Sequence, residues 1–123
     1  MDLRLIDHVA LNVRDLQTSS DWYGRVFGFT EVHRWKTTRM IGKGAIRLGL
    51  FERPKAVAIG DLDQTITITH VAFLTDRDGL NEAQEVLRSL GIPFDPPDDS
   101  GIALSIFCKD PDGHELEITA YHA

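Results

Sequence analysis

Hydrophobic and polar residues alternate with a period of two over residues 5–13, so Val9, Leu11 and Val13 share one face of a strand and His8, Ala10 and Asn12 share the other. Leu16, Ser19 or Ser20, Tyr23, Val26 and Phe27 follow at helical spacing. They predict a helix over about 15–27 that Gly28 stops. Short strands are expected around 30–36, 38–41 and 45–51. The order then begins again, with a strand over 67–75 and a helix over about 78–90. Its buried stripe is Leu80, Ala83, Val86, Leu87 and Leu90, with Asp78 as the cap and Gly91 as the stop. Strands near 93–95, 103–109 and 115–121 complete the chain, and the DPDG at 110–113 places Pro and Gly for a type I turn that makes the last two a hairpin.

The two halves superimpose as sequences. His8, Val9 and Ala10 match His70, Val71 and Ala72 at an offset of 62, while Asp15 and Gly28 match Asp78 and Gly91 at 63. This is a duplicated βαβββ unit, with module one at 1–52, a connector at 53–64 and module two at 65–123. The expected class is α+β, a single domain whose mixed sheets are cupped and whose helices lie on the outer face.

A chain of 123 residues buries about two-thirds of the surface it exposes when unfolded, so it needs neither disulfide nor metal merely to fold. Its net charge of −6 argues against nucleic acid as a partner. No apolar run approaches the roughly 20 residues of a membrane span, and the opening MDLRLIDH lacks a signal-peptide core. With Cys108 as its single cysteine, the chain is expected to be cytoplasmic and not membrane-bound. Cys108 itself falls on the helix side as a small buried residue. Arg34, Lys36, Arg39, Lys43 and Arg47 share a segment without Asp or Glu. They read as a solvated outer face whose field favours an anionic ligand.

Strand phase places His8 and His70 on the faces turned away from the helices, and gives Glu115, Glu117 and Thr119 the same facing on the last strand. Two imidazoles and a carboxylate in one cleft form a donor set for a divalent transition metal with positions left open for substrate. A carboxylate buried there without a cation would lose hydration with little in return. His33, His114 and His122 have no such counterparts and read as loop or surface residues. Asn12, Arg47, Ser105 and Phe107 have the phase to line the substrate space, as does Trp35 if its strand faces inward. The 95–101 loop, DPPDDSG, is placed to cover the mouth.

The stretches DHVALNVRDLQTSSDWYGRVFGF, ITHVAF and DPDGHELEI together resemble the vicinal oxygen chelate superfamily, which includes glyoxalase I, extradiol dioxygenases, fosfomycin-resistance enzymes and bleomycin-resistance binding proteins. The resemblance implies paired βαβββ modules, commonly in a homodimer, and a metal held by His8, His70 and Glu117, with zinc, manganese, iron, nickel or cobalt all admissible. It implies an enzyme of lyase, isomerase or dioxygenase type acting on a small oxygen-chelating substrate, with Glu117 at the reaction centre. The chain departs from several members: Arg47 and Gly49 stand where glyoxalase I supplies a fourth ligand. Phe107 replaces a tyrosine of the fosfomycin enzymes and dioxygenases, and Ala10 replaces a threonine of the glutathione-transferring type. The rival expectation is a metal-free protein that sequesters a ligand, as bleomycin-resistance members do. A module serving only association is the third.

Overall fold

The structure is a computed structural model that describes residues 1–123. It divides into two compact units, Met1–Val57 and Ala58–Ala123, the division falling inside the expected connector. In unit one, β1 (Val9–Val13) leads into α1 (Leu16–Phe27), followed by β2 (Thr30–Arg34), β3 (Thr38–Lys43) and β4 (Ile46–Glu52). In unit two, β5 (His70–Thr75) leads into α2 (Arg77–Ser89), then β6 (Asp98–Asp99), β7 (Ala103–Lys109) and β8 (Glu115–Tyr121). Each sheet has four strands with the same wiring, β1-β4-β3-β2 and β5-β8-β7-β6. In each, the first strand pairs parallel to the last and the remaining pairings are antiparallel.

The predicted alternation sorts the side chains. In unit one Leu11, Val13, Leu48, Leu50 and Ile41 are buried towards α1, whose Leu16, Ser19, Trp22 and Tyr23 face them. Tyr23, Phe27 and Phe29 stack, and Trp22 meets Tyr23 edge-on with centroids 5.0 Å apart. Gly28 ends the helix in the left-handed region at φ 72°, where a β-carbon would be strained. In unit two Phe73, Leu80, Leu87, Ile106, Cys108, Leu116 and Ile118 form the corresponding core.

Several expectations need correction. Residues 5–8 lie outside β1, and Leu5 and Ile6 are exposed, because the ladder to β4 begins only at the Val9↔Leu48 pair and β4 starts at Ile46, beyond any partner for Leu5 or Ile6. The second strand likewise starts at His70, not at 67. Asp76, not Asp78, caps α2, its carboxylate accepting from Gly79 N–H at 2.8 Å. Leu90 lies past the last helical turn and is exposed. Residues 93–95 form no strand; the short β6 is made by Asp98 and Asp99, inside the stretch expected to be a loop. The 110–113 turn closes as expected, with Gly113 N–H donating to Asp110 O at 3.0 Å.

Candidate metal centre

In unit two the register sets His70, Ala72 and Leu74 of β5 beside Glu115, Glu117 and Thr119 of β8, on the sheet face turned from α2. The next strand adds Phe107 opposite Glu117 and Ser105 opposite Thr119. His70 Nε2 lies 3.1 Å from Glu117 Oε1. Two donors about 2.1 Å from one ion and at right angles to each other would be about 3.0 Å apart, so the pair fits adjacent positions on a single cation.

Both side chains are held from behind. His70 Nδ1 is 2.9 Å from Thr69 Oγ1, and donation to that hydroxyl leaves the Nε2 lone pair free. Ser105 Oγ is 2.8 Å from both Glu117 Oε2 and Thr119 Oγ1. Having one proton, it donates to the ionised carboxylate and accepts from Thr119. The Phe107 ring stands edge-on to His70 at 5.9 Å, and a hollow of about 450 Å³ lined by Phe94, Phe107, Lys109 and Glu115 lies alongside. Glu117 is thus an anchored, largely buried acid rather than a solvated one, with 16% of its side chain exposed.

Unit one presents His8 just before β1, with Nδ1 2.8 Å from Asp7 Oδ2. That carboxylate takes the Nδ1 proton and leaves Nε2 available, the usual arrangement for a ligating imidazole. The ring lies over the face turned from α1, since a β-carbon built on Gly49 would be 3.5 Å from His8 Cδ2. Asn12 and Arg47 are exposed on the same face by register. On β2, His33 pairs with Met40 after a bulge and packs edge-on against Trp35 at 4.4 Å, both half-exposed or more.

The structure therefore brings together His70, Glu117, Ser105 and Phe107 within one unit, and sets His8, Asn12, Arg47 and Trp35 on the other. Within neither unit do three His, Cys, Asp or Glu side chains gather as a metal site. Sequence reasoning missed Asp7 and Thr69, although the signal was present: each duplicated histidine is preceded by a side chain able to take its Nδ1 proton. Ser105, expected to line the substrate space, has its hydroxyl 2.8 Å from Glu117 Oε2. Cys108 is buried, and burial pushes its thiol up to about 11, which removes it as a nucleophile at neutral pH.

Comparison with known proteins agrees with this architecture. The chain is 27% identical over 121 residues to virulence protein STM3117 of Salmonella typhimurium, covering 94% of this chain and 83% of that one. It is 25% identical over 120 residues to the metallothiol transferase FosB of Staphylococcus epidermidis, covering 96% and 82%. A glyoxylase/bleomycin resistance protein/dioxygenase domain from Frankia sp. EAN1pec superimposes with a TM-score of 0.83 at 24% identity, over 98% of this chain and 100% of that one. That likeness shows the glyoxalase-like α+β fold. The family model matches residues 5–118, and the chain belongs to the Glyoxalase/Bleomycin resistance protein/Dioxygenase superfamily.

Proposed function

We propose that this protein is a divalent-metal-dependent enzyme in which His8, His70 and Glu117 hold one ion and a small substrate binds to it through neighbouring oxygens. The observation that carries the reading is the His70–Glu117 pair, 3.1 Å apart and backed by Thr69 and Ser105. The bound ion supplies Lewis-acid stabilisation of negative charge on a substrate oxygen. Glu117 offers a carboxylate held by Ser105, and His70 an imidazole whose Nδ1 is engaged by the Thr69 hydroxyl. Phe107 shields one side of the pair from water, and Arg47, Asn12 and Trp35 are candidate walls for an anionic or planar substrate.

His8 would come from the first unit of the same chain or of a second copy in a homodimer. Exposed apolar side chains in both units support association, among them Leu3, Leu5 and Ile6 in the first and Ile66, Ile68 and Leu74 in the second. A relative named as a metallothiol transferase supports metal-assisted chemistry, with lyase, isomerase, transferase or dioxygenase outcomes separated by assay.

The test is elemental analysis of protein purified without an affinity tag. The expected result is close to one transition-metal ion per chain, absent from His70→Ala. Protein that stays metal-free after incubation with zinc, manganese, iron, nickel and cobalt, yet binds organic cations, would establish the ligand-sequestering alternative.

A further inference from the structure

The α1 side of unit one carries a second site. Arg39 was expected on a solvated face, but it is only 7% exposed and points beneath α1. Its Nη1 donates to Ser20 Oγ at 3.0 Å and to Gln17 Oε1 at 3.4 Å. Its Nε is buried and directs its hydrogen at no acceptor. Glu31 Oε1 stands 3.3 Å away, but it already receives Arg34 through Nε at 2.9 Å and Nη2 at 2.8 Å. One carboxylate thus serves two guanidiniums.

Around Arg39 lies a groove of about 810 Å³ between α1 and the β2–β3 hairpin, with Phe29 and Ile41 as its apolar patch. Arg25 and Arg34 add two more cations, and Asp21 and Glu31 are its acids. Asp21 is engaged by the Gln17 amide at 2.8 Å. Three guanidiniums face two acids in the groove's lining, a cationic excess tempered by Asp15 just outside it, and the buried Arg39 Nε–H, which makes no hydrogen bond, costs free energy in the empty groove. A negatively charged oxygen relieves both. The volume exceeds that of a bare ion and matches a small metabolite.

We propose that this groove binds a small molecule bearing an oxyanion, a phosphate monoester or a carboxylate, attached to an apolar body. Arg39 and Arg34 receive the anion and Phe29 and Ile41 the apolar part, while Glu31 competes with the anion for the two guanidiniums. The site is on the opposite face of the unit-one sheet from His8, so it stands or falls independently of the metal reading.

The test is an amide NMR titration of the full chain with phenyl phosphate, benzoate and inorganic phosphate, using benzyl alcohol as the uncharged control. Phenyl phosphate or benzoate is expected to shift the Ser20, Gly24 and Glu31 resonances saturably, and the stronger of the two identifies the anion class. Glu31→Gln removes the competing acid and should tighten binding several-fold. Arg39→Met should weaken it about tenfold or more, as expected for a lost charge-assisted bond. Because that variant removes a buried contact to α1, Arg34→Gln and Arg25→Gln on the exposed rim provide the fold-neutral check, each weakening binding measurably. Absence of saturable shifts at tens of millimolar, equal shifts with benzyl alcohol, or affinity unchanged in both Glu31→Gln and Arg34→Gln would overturn the proposal and leave Arg39 a purely structural tie.

Discussion

The two units share one wiring but differ at one position that decides their chemistry. Two residues after His70, Ala72 pairs with Glu117; two residues after His8, Ala10 pairs with Gly49. Glu117 and Gly49 are therefore equivalent points of the duplicated sheet, one carrying an anchored carboxylate and the other nothing. The duplicated sheet thus carries matched imidazoles but an acid on one side only. Gly49 is not a backbone requirement, because its φ is not positive and an added β-carbon would meet only ordinary contacts at 3.5 Å, to His8 and Phe51.

The largest expected effect comes from unit two itself. Replacing His70 by Ala or Glu117 by Gln should abolish metal retention, read by elemental analysis after dialysis. His8→Ala should do the same only if the first unit completes the site. Mixing His8→Ala with His70→Ala under dissociating conditions then sharpens the comparison. Restored metal at about a quarter of the wild-type content would show that unit one of one copy serves unit two of another, since about half of randomly paired dimers are mixed and each mixed dimer has one of its two sites intact. No recovery, with both parents folded, would place the three ligands within one chain.

A smaller effect is expected at Ser105. Its hydroxyl holds Glu117 Oε2; in the proposed site it would orient the ligand from behind, so Ser105→Ala should weaken metal binding by about 10–100-fold, the usual cost of removing such a partner. The measurement is a competition titration against a chromophoric chelator. Unchanged affinity would mean that the strand geometry alone orients Glu117. The reverse experiment, Gly49→Glu, should restore the carboxylate that unit one lacks and tighten binding by about tenfold, with slower metal release. Affinity left as in the wild type would show that position 49 does not reach the ion.

How much of this was legible in the sequence follows from what each feature depends on. β7 and β8 were read to the residue because alternation and the DPDG turn are local signals. The start of β1 was not, since Leu5 and Ile6 continue the apolar pattern while the partner strand that would pair with them stops. β6 escaped notice because Asp98 and Asp99 carry no strand preference and gain their place only through Ser105 and Leu104 across the ladder. Glu117 and Glu115 share a phase that alternation cannot separate; the family resemblance pointed to Glu117, and it is Glu117 that stands 3.1 Å from His70. Burial of Arg39 depends on Ser20 and Gln17 of α1 and Glu31 of β2 converging on it, which no periodicity encodes.

The smallest contrast concerns the helix starts. Asp15 caps α1 by accepting Thr18 N–H at 2.9 Å, as Asp76 caps α2 through Gly79 N–H at 2.8 Å. The Thr18 N–H bond is the main cause that holds the Asp15 carboxyl below its ordinary value, with a minor contribution from the Arg39 charge. As pH falls, the unfolded chain therefore takes up this proton before the folded one does. The capping contribution is complete above about pH 5 and fades as pH passes down through the lowered folded-state value. Asn caps equally well but does not titrate. Urea midpoints of wild type and Asp15→Asn should therefore lie close together near neutrality, and the wild type should fall behind as acid is added. Parallel pH profiles for the two proteins would mean that the Asp15 carboxylate contributes by its shape as a hydrogen-bond acceptor and not by its charge.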